Sequence, residues 1–557
     1  MTRGEMIRSY RTQAGMSQEA MAEAVGVSRQ TVSKWENDAA VPETERLAAL
    51  SRLFGLPPQA LLDPGSVPPA AADNGTAAPP PPKNSGAGAA DRAAPRFVSF
   101  IQEHKKQILL ILAGILIACG FGGGLWLILS GRSDGGGKTA GTDQTAVSEQ
   151  MPGSVPTAVS EQTPGAGPTA EQTRYPYVLV HGLGGWGAGS GVNSFVRYWG
   201  TDTGDLAAYL REQGYEVYTP SVGPVSSAWD RACELYAILT GSTVDYGAAH
   251  AAEHRHARYG RTYPAPLLPQ WDKTKKVNLV GHSFGGETVR LLASLLAYGD
   301  ETEQAASPGD LSPLFEGGRQ ALIHSVTTLC SPHNGSSLTC ILDTAGRLAG
   351  LNSTTELLAT LCFATAGLTN PLNGTYDFML DQFGVTDVSG GYSGICRAIS
   401  AVISSGKDHA GYDLSPDGAA ALNRRIRLCP DVYYFSYAYQ TTGDSDLFYT
   451  QKPRSDTLPV LYPLALAMGA FNGTTPGGIR IDETWQKNDG LVSVISALYP
   501  FGDPNTPLPP QNEIRKGIWN IAPVRTGHHG TVIGLSADAD ETRAFYTELF
   551  AMIDALK

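Results

Sequence analysis

From Ile108 to Gly131 the chain carries no charged residue. A helix over such a run, rising about 1.5 Å per residue, covers a bilayer hydrocarbon core of about 30 Å. The feature predicts a transmembrane helix within 105–132 and divides everything else into two compartments. A long segment precedes it, so it is not a cleavable signal peptide. Its low-complexity flanks offer no neighbouring core, which disfavours a buried globular helix. Lys105 and Lys106, with Arg92 and Arg96 upstream, outweigh Arg132 and Lys138 after the span. The positive-inside rule then puts the N-terminus in the cytoplasm and the C-terminal part outside the cell membrane, in a single pass.

Residues 63–104 are rich in Pro, Ala and Gly and too poor in large apolar side chains to fold. Residues 133–174 contain "TAVSEQMPGSVP" and then "TAVSEQTPGAGP", a twelve-residue Pro/Gly repeat that reads as a tether because nothing in it could form a core. A net charge of −12 argues against a chain devoted mainly to nucleic acid, although a small module could still bind it. Cys119 lies within the span, and Cys233, Cys330, Cys340, Cys362, Cys396 and Cys429 follow it. An outside location permits disulfides, in pairings the sequence does not choose among; free buried thiols are the alternative.

Residues 1–62 carry apolar side chains at helical spacing, including Met6, Met21, Val25, Val32, Trp35 and Leu50. Ser17 and Ser28 stand where N-caps belong, and Gly26 supplies the turn between two short helices. The text "SQEAMAEAVGVSRQTVSKWEN" resembles the Cro/C1-type helix-turn-helix family. The resemblance implies an all-α DNA-binding bundle, with a bracing helix at about Gln18–Ala24 and a recognition helix at about Arg29–Glu36 entering the major groove. Gln18, Arg29, Gln30, Ser33 and Lys34 are the implied DNA contacts, and Trp35 a core plug. Two copies would pair on half-sites about one helical turn apart. The competing reading is a bundle for protein contacts, because no strong basic patch is present.

From Tyr175 the text changes. "YPYVLVHGLGGWG" reads as a buried parallel strand ending in a glycine turn, and "GYEVYTPSVG" as a second strand. "KKVNLVGHSFGGETVRLLASLLAYG" gives strand, sharp turn and amphipathic helix, so the region is expected to be α/β. Within it "GHSFG" is a G-x-S-x-G elbow centred on Ser283. Gly281 and Gly285 permit close approach of strand and helix, and the strained turn lifts Ser283 to a helix N-terminus whose N–H groups can hold an oxyanion. A serine nucleophile needs an oriented base. In the order Ser, acid, His, the downstream candidates are Asp489 and either His528 or His529. The N–H groups of Leu183, in "HGLGG", and Phe284 would form the oxyanion hole.

The region 175–557 resembles the thermoalkalophilic, zinc-containing bacterial lipases and their staphylococcal relatives, on "VHGLGGWG", "SSAWDRACELYA", "TVDYGAAHAAEHRHARYGRTYPAPLLP", "GHSFGGETVRLL", "HSVTTLCSPHNG", "YDLSPDGAAALN" and "NDGLVS". The resemblance selects His529, giving a triad of Ser283, Asp489 and His529. It also implies a structural zinc ion on Asp230, His250, His256 and Asp413, a donor set suited to closed tetrahedral geometry. Spacing alone would instead pair His250 with His254 on one helix face. The family's calcium carboxylates are replaced here by Thr531 and Ser536, which makes calcium binding doubtful. A lid is expected within 337–407, where "TTELLATLCFATAGL" is amphipathic, and the C-terminal "ETRAFYTELFAMIDALK" reads as a helix on the sheet.

The sequence therefore predicts a multidomain, membrane-anchored ester hydrolase with an external lipase-like α/β-hydrolase domain, a zinc-bearing extra domain and a cytoplasmic helix-turn-helix module. The rival is a transmembrane transcriptional regulator whose outer domain senses lipids. An intact elbow, acid and base favour the enzyme, since a sensor would not need all three.

Overall fold

The computed structural model describes single positions and short stretches within 4–50, then residues 174–348, 377–384, 406–445 and 451–556. The predicted span, both linkers and most of the predicted lid lie outside the described residues. Among the described residues no helix is long and apolar enough to cross a membrane. The chain divides into two units, Met1–Gly86 and Ala87–Lys557.

In the first unit, helices α1 (Gln18–Ala24) and α2 (Arg29–Glu36) coincide with the bracing and recognition helices expected from sequence. The serines explain their starts. Ser17 Oγ accepts the N–H of Ala20 and Ser28 Oγ that of Thr31, satisfying donors a helix leaves open at its first turn. Trp35 is buried with Ile7, Met21, Ala22, Val25, Val32 and Leu50, as a core plug. Glu36 is also buried. Arg11 Nε and Gln18 Nε2 meet its carboxylate at 2.5 and 2.8 Å, which offsets the cost of burying the charge.

The second unit is built on a seven-stranded, all-parallel sheet. Its strands are β1 (Tyr177–Val180), β2 (Val217–Tyr218), β3 (Val277–His282), β4 (Ile323–Leu329), β5 (Tyr433–Tyr437), β6 (Asn505–Pro507) and β7 (Trp519–Ile521), in the spatial order β6-β7-β5-β4-β3-β1-β2. The continuous apolar strands follow from a sheet covered on both faces. Along β1, Val178 and Val180 join one core with α3 (Ala228–Thr240) and α5 (Gly285–Tyr298). Tyr177 and Leu179 join the opposite core with α6 (Ala539–Asp554), the expected C-terminal helix. There the Tyr177 and Phe550 rings stack 3.6 Å apart, and the Tyr177 hydroxyl donates to Asp554 Oδ1 at 2.7 Å.

After α3 the chain forms an antiparallel ribbon, Thr243–Asp245 with Tyr259–Thr262, that encloses the short helix α4 (Ala248–His254). Cys233, Cys330, Cys340 and Cys429 are free, the first two and Cys429 buried and Cys340 half-buried, so the reading in which all six cysteines after the span pair does not hold.

Candidate active site and metal-type cluster

The centre forms at the C-terminal end of β3, where an elbow joins it to α5. Ser283 has φ +54°, a left-handed conformation that a non-glycine residue adopts only when its surroundings enforce it. They do so by close approach. A Cβ on Gly285 would lie 2.2 Å from the Val180 carbonyl oxygen, and one on Gly281 would lie 2.3 Å from that of Gly285. The Ser283 N–H donates to the Leu329 carbonyl at 2.8 Å, fixing the turn to β4.

Asp489 and His529 come together from separate loops. His529 Nδ1 faces Asp489 Oδ2 at 2.8 Å, and the other carboxylate oxygen accepts the N–H groups of Leu491 and Val492 at 3.0 and 2.8 Å. Held as an acceptor on both oxygens, the carboxylate takes a proton-bearing Nδ1 and leaves Nε2 as the basic nitrogen. The structure also separates the two histidines that chain order leaves equivalent. His528 Nδ1 accepts the Gly530 N–H at 3.2 Å, and burial pulls its pKa down to about 4. Only His529 meets the acid. Ser283 Oγ makes no hydrogen bond among the described residues; such contacts often tighten only with substrate bound.

The N–H groups of Leu183 and Phe284, the expected oxyanion donors, are likewise not taken up by an acceptor among the described residues. Their neighbours are. Gly182 N–H donates to the Tyr198 hydroxyl at 2.8 Å and Gly184 N–H to the Pro224 carbonyl at 2.8 Å. Arg231, fully buried on α3, holds the loop from below: one guanidinium nitrogen donates to the His181 carbonyl, another to that of Gly223 at 2.8 Å, and Nε to Thr288 Oγ1 on α5 at 2.8 Å. The sequence singled out neither Arg231 nor Tyr198. Each acts through contacts remote in sequence, and no local pattern marks them. Cys330, at φ +53° just after β4, places its thiol within 4.8 Å of the Asp489 and His529 donor atoms. Burial, and then the neighbouring Asp489 charge, push that thiol well above its usual pKa.

A second group of polar side chains lies where α3, α4 and the segment before residue 410 meet. Asp230, His250, His256 and Asp408 bring their donor atoms within 4.8 Å of one another. His250 Nε2 stands 3.2 Å from both Asp230 Oδ1 and Asp408 Oδ1, and His256 Nε2 stands 3.2 Å from Asp408 Oδ2. Three of the four expected ligands are present, and the fourth is corrected: Asp408 takes the place expected for Asp413. The reason is local. Residues 410–413 form one helical turn capped by His409. Asp408 precedes that turn and reaches the histidines. Asp413 ends it, and its Oδ2 accepts the Ala228 N–H at 2.7 Å, at the start of α3. Burial raises the Asp413 pKa to about 7. His254, the partner that spacing alone suggests for His250, is not part of the group. The left-handed Arg255 (φ +62°) ends α4 and turns the chain so that His256 enters instead.

The cluster fits a divalent cation. His256 Nε2 is buried without a hydrogen-bond partner, while Nδ1 faces the Ala257 carbonyl at 2.9 Å, which puts its proton there and leaves Nε2 bare toward the carboxylates. Gln382 Nε2 donates to Asp230 Oδ2 at 2.7 Å and orients it. Two buried carboxylates facing two imidazoles need a positive charge between them. Without one, burial is outweighed at His250 by Asp230 and Asp408, which raise its pKa to about 9. At the doubtful calcium position, Thr531 Oγ1 accepts the His528 N–H at 3.0 Å, and the Ser536 backbone N–H donates to Asp202 Oδ2 at 2.8 Å.

In the first unit, Gln30 and Lys34 are exposed on α2 and Ser33 half-buried, as groove contacts require. Arg29 pairs with Glu19 at 2.8 Å. Gln18, expected at DNA, donates to Glu36 instead.

The lipase-like C-terminal domain family matches residues 173–556, and a helix-turn-helix family matches residues 7–61. Lipase 2 of Staphylococcus aureus is 35% identical over 369 residues, 65% of this chain and 50% of that protein. The chain thus spans about half the length of the curated relatives it matches. Among solved structures, EstA from Clostridium botulinum is 36% identical with a TM-score of 0.60, covering 69% of this chain and 88% of that one. Lipase 1 from Pelosinus fermentans is 38% identical with a TM-score of 0.57, covering 69% and 99%.

Proposed function

The chain belongs to the lipase-like family, and from that premise we propose that it is a serine carboxylic ester hydrolase acting on lipid esters. The observation that carries the reading is Ser283 at φ +54° on the β3–α5 elbow, together with the Asp489–His529 pair at 2.8 Å. Ser283 Oγ attacks the ester carbonyl carbon while His529 Nε2 takes its proton. The Leu183 and Phe284 N–H groups receive the oxyanion of the tetrahedral intermediate. Its collapse breaks the bond to the alcohol oxygen, which leaves with the proton from His529. Water, deprotonated by the same imidazole, then releases the acid and restores Ser283. Asp489 holds the ring and stabilises its cationic form throughout.

Asp230, His250, His256 and Asp408 would hold zinc in a closed four-ligand site. There it supplies charge and a crosslink between α3, α4 and the segment before residue 410, not chemistry.

The proposal extends to the remainder of the chain. The apolar run 108–131 anchors it in a membrane, with the hydrolase outside and residues 1–62 in the cytoplasm; the lysines before the run support this orientation. The helix-turn-helix unit binds DNA through α2, weakly as one copy and in a salt-dependent way.

The deciding experiment is hydrolysis of a p-nitrophenyl ester series of increasing acyl length by the full chain, beside Ser283→Ala. Turnover lost with Ser283 supports the reading; no turnover at any length refutes it. For the inner unit, enrichment of a palindromic duplex from a random library supports DNA binding, and enrichment of nothing by folded protein points to protein contacts instead.

A further inference from the structure

A chain of hydrogen bonds joins the oxyanion loop to the base through two side chains that belong to neither. Gly182 N–H meets the Tyr198 hydroxyl at 2.8 Å, that hydroxyl meets His282 Nδ1 at 2.6 Å, and His282 Nε2 meets the His529 carbonyl oxygen at 3.0 Å. The direction of every bond is fixed by chemistry. A carbonyl oxygen only accepts, so His282 carries its proton on Nε2 and Nδ1 is bare. The Tyr198 hydroxyl must therefore donate to Nδ1, which leaves its lone pairs to accept from Gly182. The neutral ring this requires is favoured by burial, and then by the neighbouring His529, which hold the His282 pKa well below its usual value.

We infer that Tyr198 and His282 are positioning residues that lock the oxyanion loop and the backbone of the base into one register around Ser283. Both are buried, at 7% and 3% exposure. The Tyr198 ring is packed between the rings of Trp186, Trp199 and His181, at centroid distances of 5.7, 5.5 and 5.7 Å. It leaves no slack on the loop side, where a Cβ on Gly185 would stand 2.6 Å from Cε2. At the other end, His529 is held three ways: its N–H by the Asp489 carbonyl at 2.9 Å, its Nδ1 by the Asp489 carboxylate, and its carbonyl by His282. His282 also sits directly before Ser283 in the chain, so the tie runs through the elbow. A fully satisfied buried network of this kind fixes one geometry, and small misplacements at a reacting centre are costly.

The inference rests on the reading of this chain as a serine ester hydrolase, and its test separates the two. Steady-state hydrolysis of p-nitrophenyl butyrate and the rate of Ser283 labelling by a fluorophosphonate are measured on the full chain for wild type, Tyr198→Phe, His282→Gln and His282→Leu. Tyr198→Phe keeps the ring and removes only the hydroxyl; kcat should fall about tenfold to a hundredfold with KM little changed, and labelling should slow in parallel. His282→Leu should fall as far. His282→Gln should retain most of the rate, because its amide offers an acceptor and a donor in place of the two ring nitrogens. Wild-type kcat in Tyr198→Phe overturns the inference, as does equal damage from Gln and Leu at 282, or a lowered melting temperature with kcat intact. Should His282→Leu fail to fold, Tyr198→Phe and His282→Gln decide alone. A wild type that neither turns over ester nor labels removes the hydrolase reading, and this inference with it.

Discussion

The triad region and the four-residue cluster beside α3 use the same chemical parts, carboxylates against imidazoles, and arrive at opposite states. Around Asp489 every contact is complementary: two backbone N–H groups and one ring N–H meet one carboxylate. Around Asp408 two imidazole nitrogens stand 3.2 Å from its two oxygens, with the buried carboxylate of Asp230 beside them. One arrangement is complete as protein; the other has the donor set of a cation site. The difference teaches how to read such groups. The residue types alone do not separate a catalytic dyad from a ligand set; at Asp489 the distinguishing mark is one oxygen fixed by the Leu491 and Val492 N–H groups and the other turned to His529.

The largest break in that comparison is Ser283→Ala. Loss of a triad nucleophile costs on the order of 10⁶ in rate, whereas melting temperature and metal content should stay at wild-type values. Ester turnover and calorimetry on one preparation check both. Ser283→Ala protein with wild-type turnover would sink the nucleophile assignment.

Next come Asp408→Ala and His256→Ala. Each should lower zinc content and melting temperature together, because binding energy at a structural site is partly folding energy. Asp413→Asn sharpens the contrast, since it should keep the metal and, because its amide oxygen can still accept the Ala228 N–H, change stability little. Metal analysis of the three proteins decides, and a zinc-free Asp413→Asn with a zinc-loaded Asp408→Ala would restore the assignment expected from sequence.

A smaller effect separates the two adjacent histidines. His528 has a folded pKa of about 4 against the usual 6.5. The unfolded chain thus binds the proton more readily between those values, and stability is lost as pH falls from about 6.5 toward 4. His528→Asn can keep an acceptor for the Gly530 N–H while removing the titration. Its melting temperature should match wild type at pH 8 and exceed it at pH 5, with activity largely retained; His529→Asn should be inactive. An inactive His528→Asn with an active His529→Asn would reverse the assignment of the base.

The smallest expected effect is that of calcium. Thr531 and Ser536 bring no carboxylate to that position, and a hard cation wants charged oxygens, so added calcium should leave the melting temperature of zinc-loaded protein almost unchanged. A rise of several degrees would reveal other oxygen ligands.

What the sequence made legible was whatever a short stretch determines. Ser17 and Ser28 mark helix starts by their own side chains, and "VNLVGHSFGG" encodes strand, left-handed turn and helix within one motif. Legibility failed where two like residues stand close together and the fold chooses between them. His528 and His529 differ by which faces Asp489, and Asp408 and Asp413 by which side of one helical turn they occupy. Neither choice leaves a local trace. Tyr198 and Arg231 fall further out of reach, since their partners at Gly182, His282, His181 and Thr288 become neighbours only once the sheet is assembled.

Asp230 and Arg231 are consecutive on α3, so their side chains leave the helix about 100° apart. One enters the metal-type cluster and the other supports the oxyanion loop. The excursion between Thr243 and Thr262, which supplies both histidines, has the look of a removable decoration on a minimal hydrolase. The helix makes that trimming unsafe. Excising the excursion strips the partners from one side of α3 and frees the helix to rotate or slide, carrying Arg231 out from under the loop. In engineering terms the catalytic half and the metal half are not separable parts, and a shortened enzyme would need a new anchor for α3 before it needed anything at the serine.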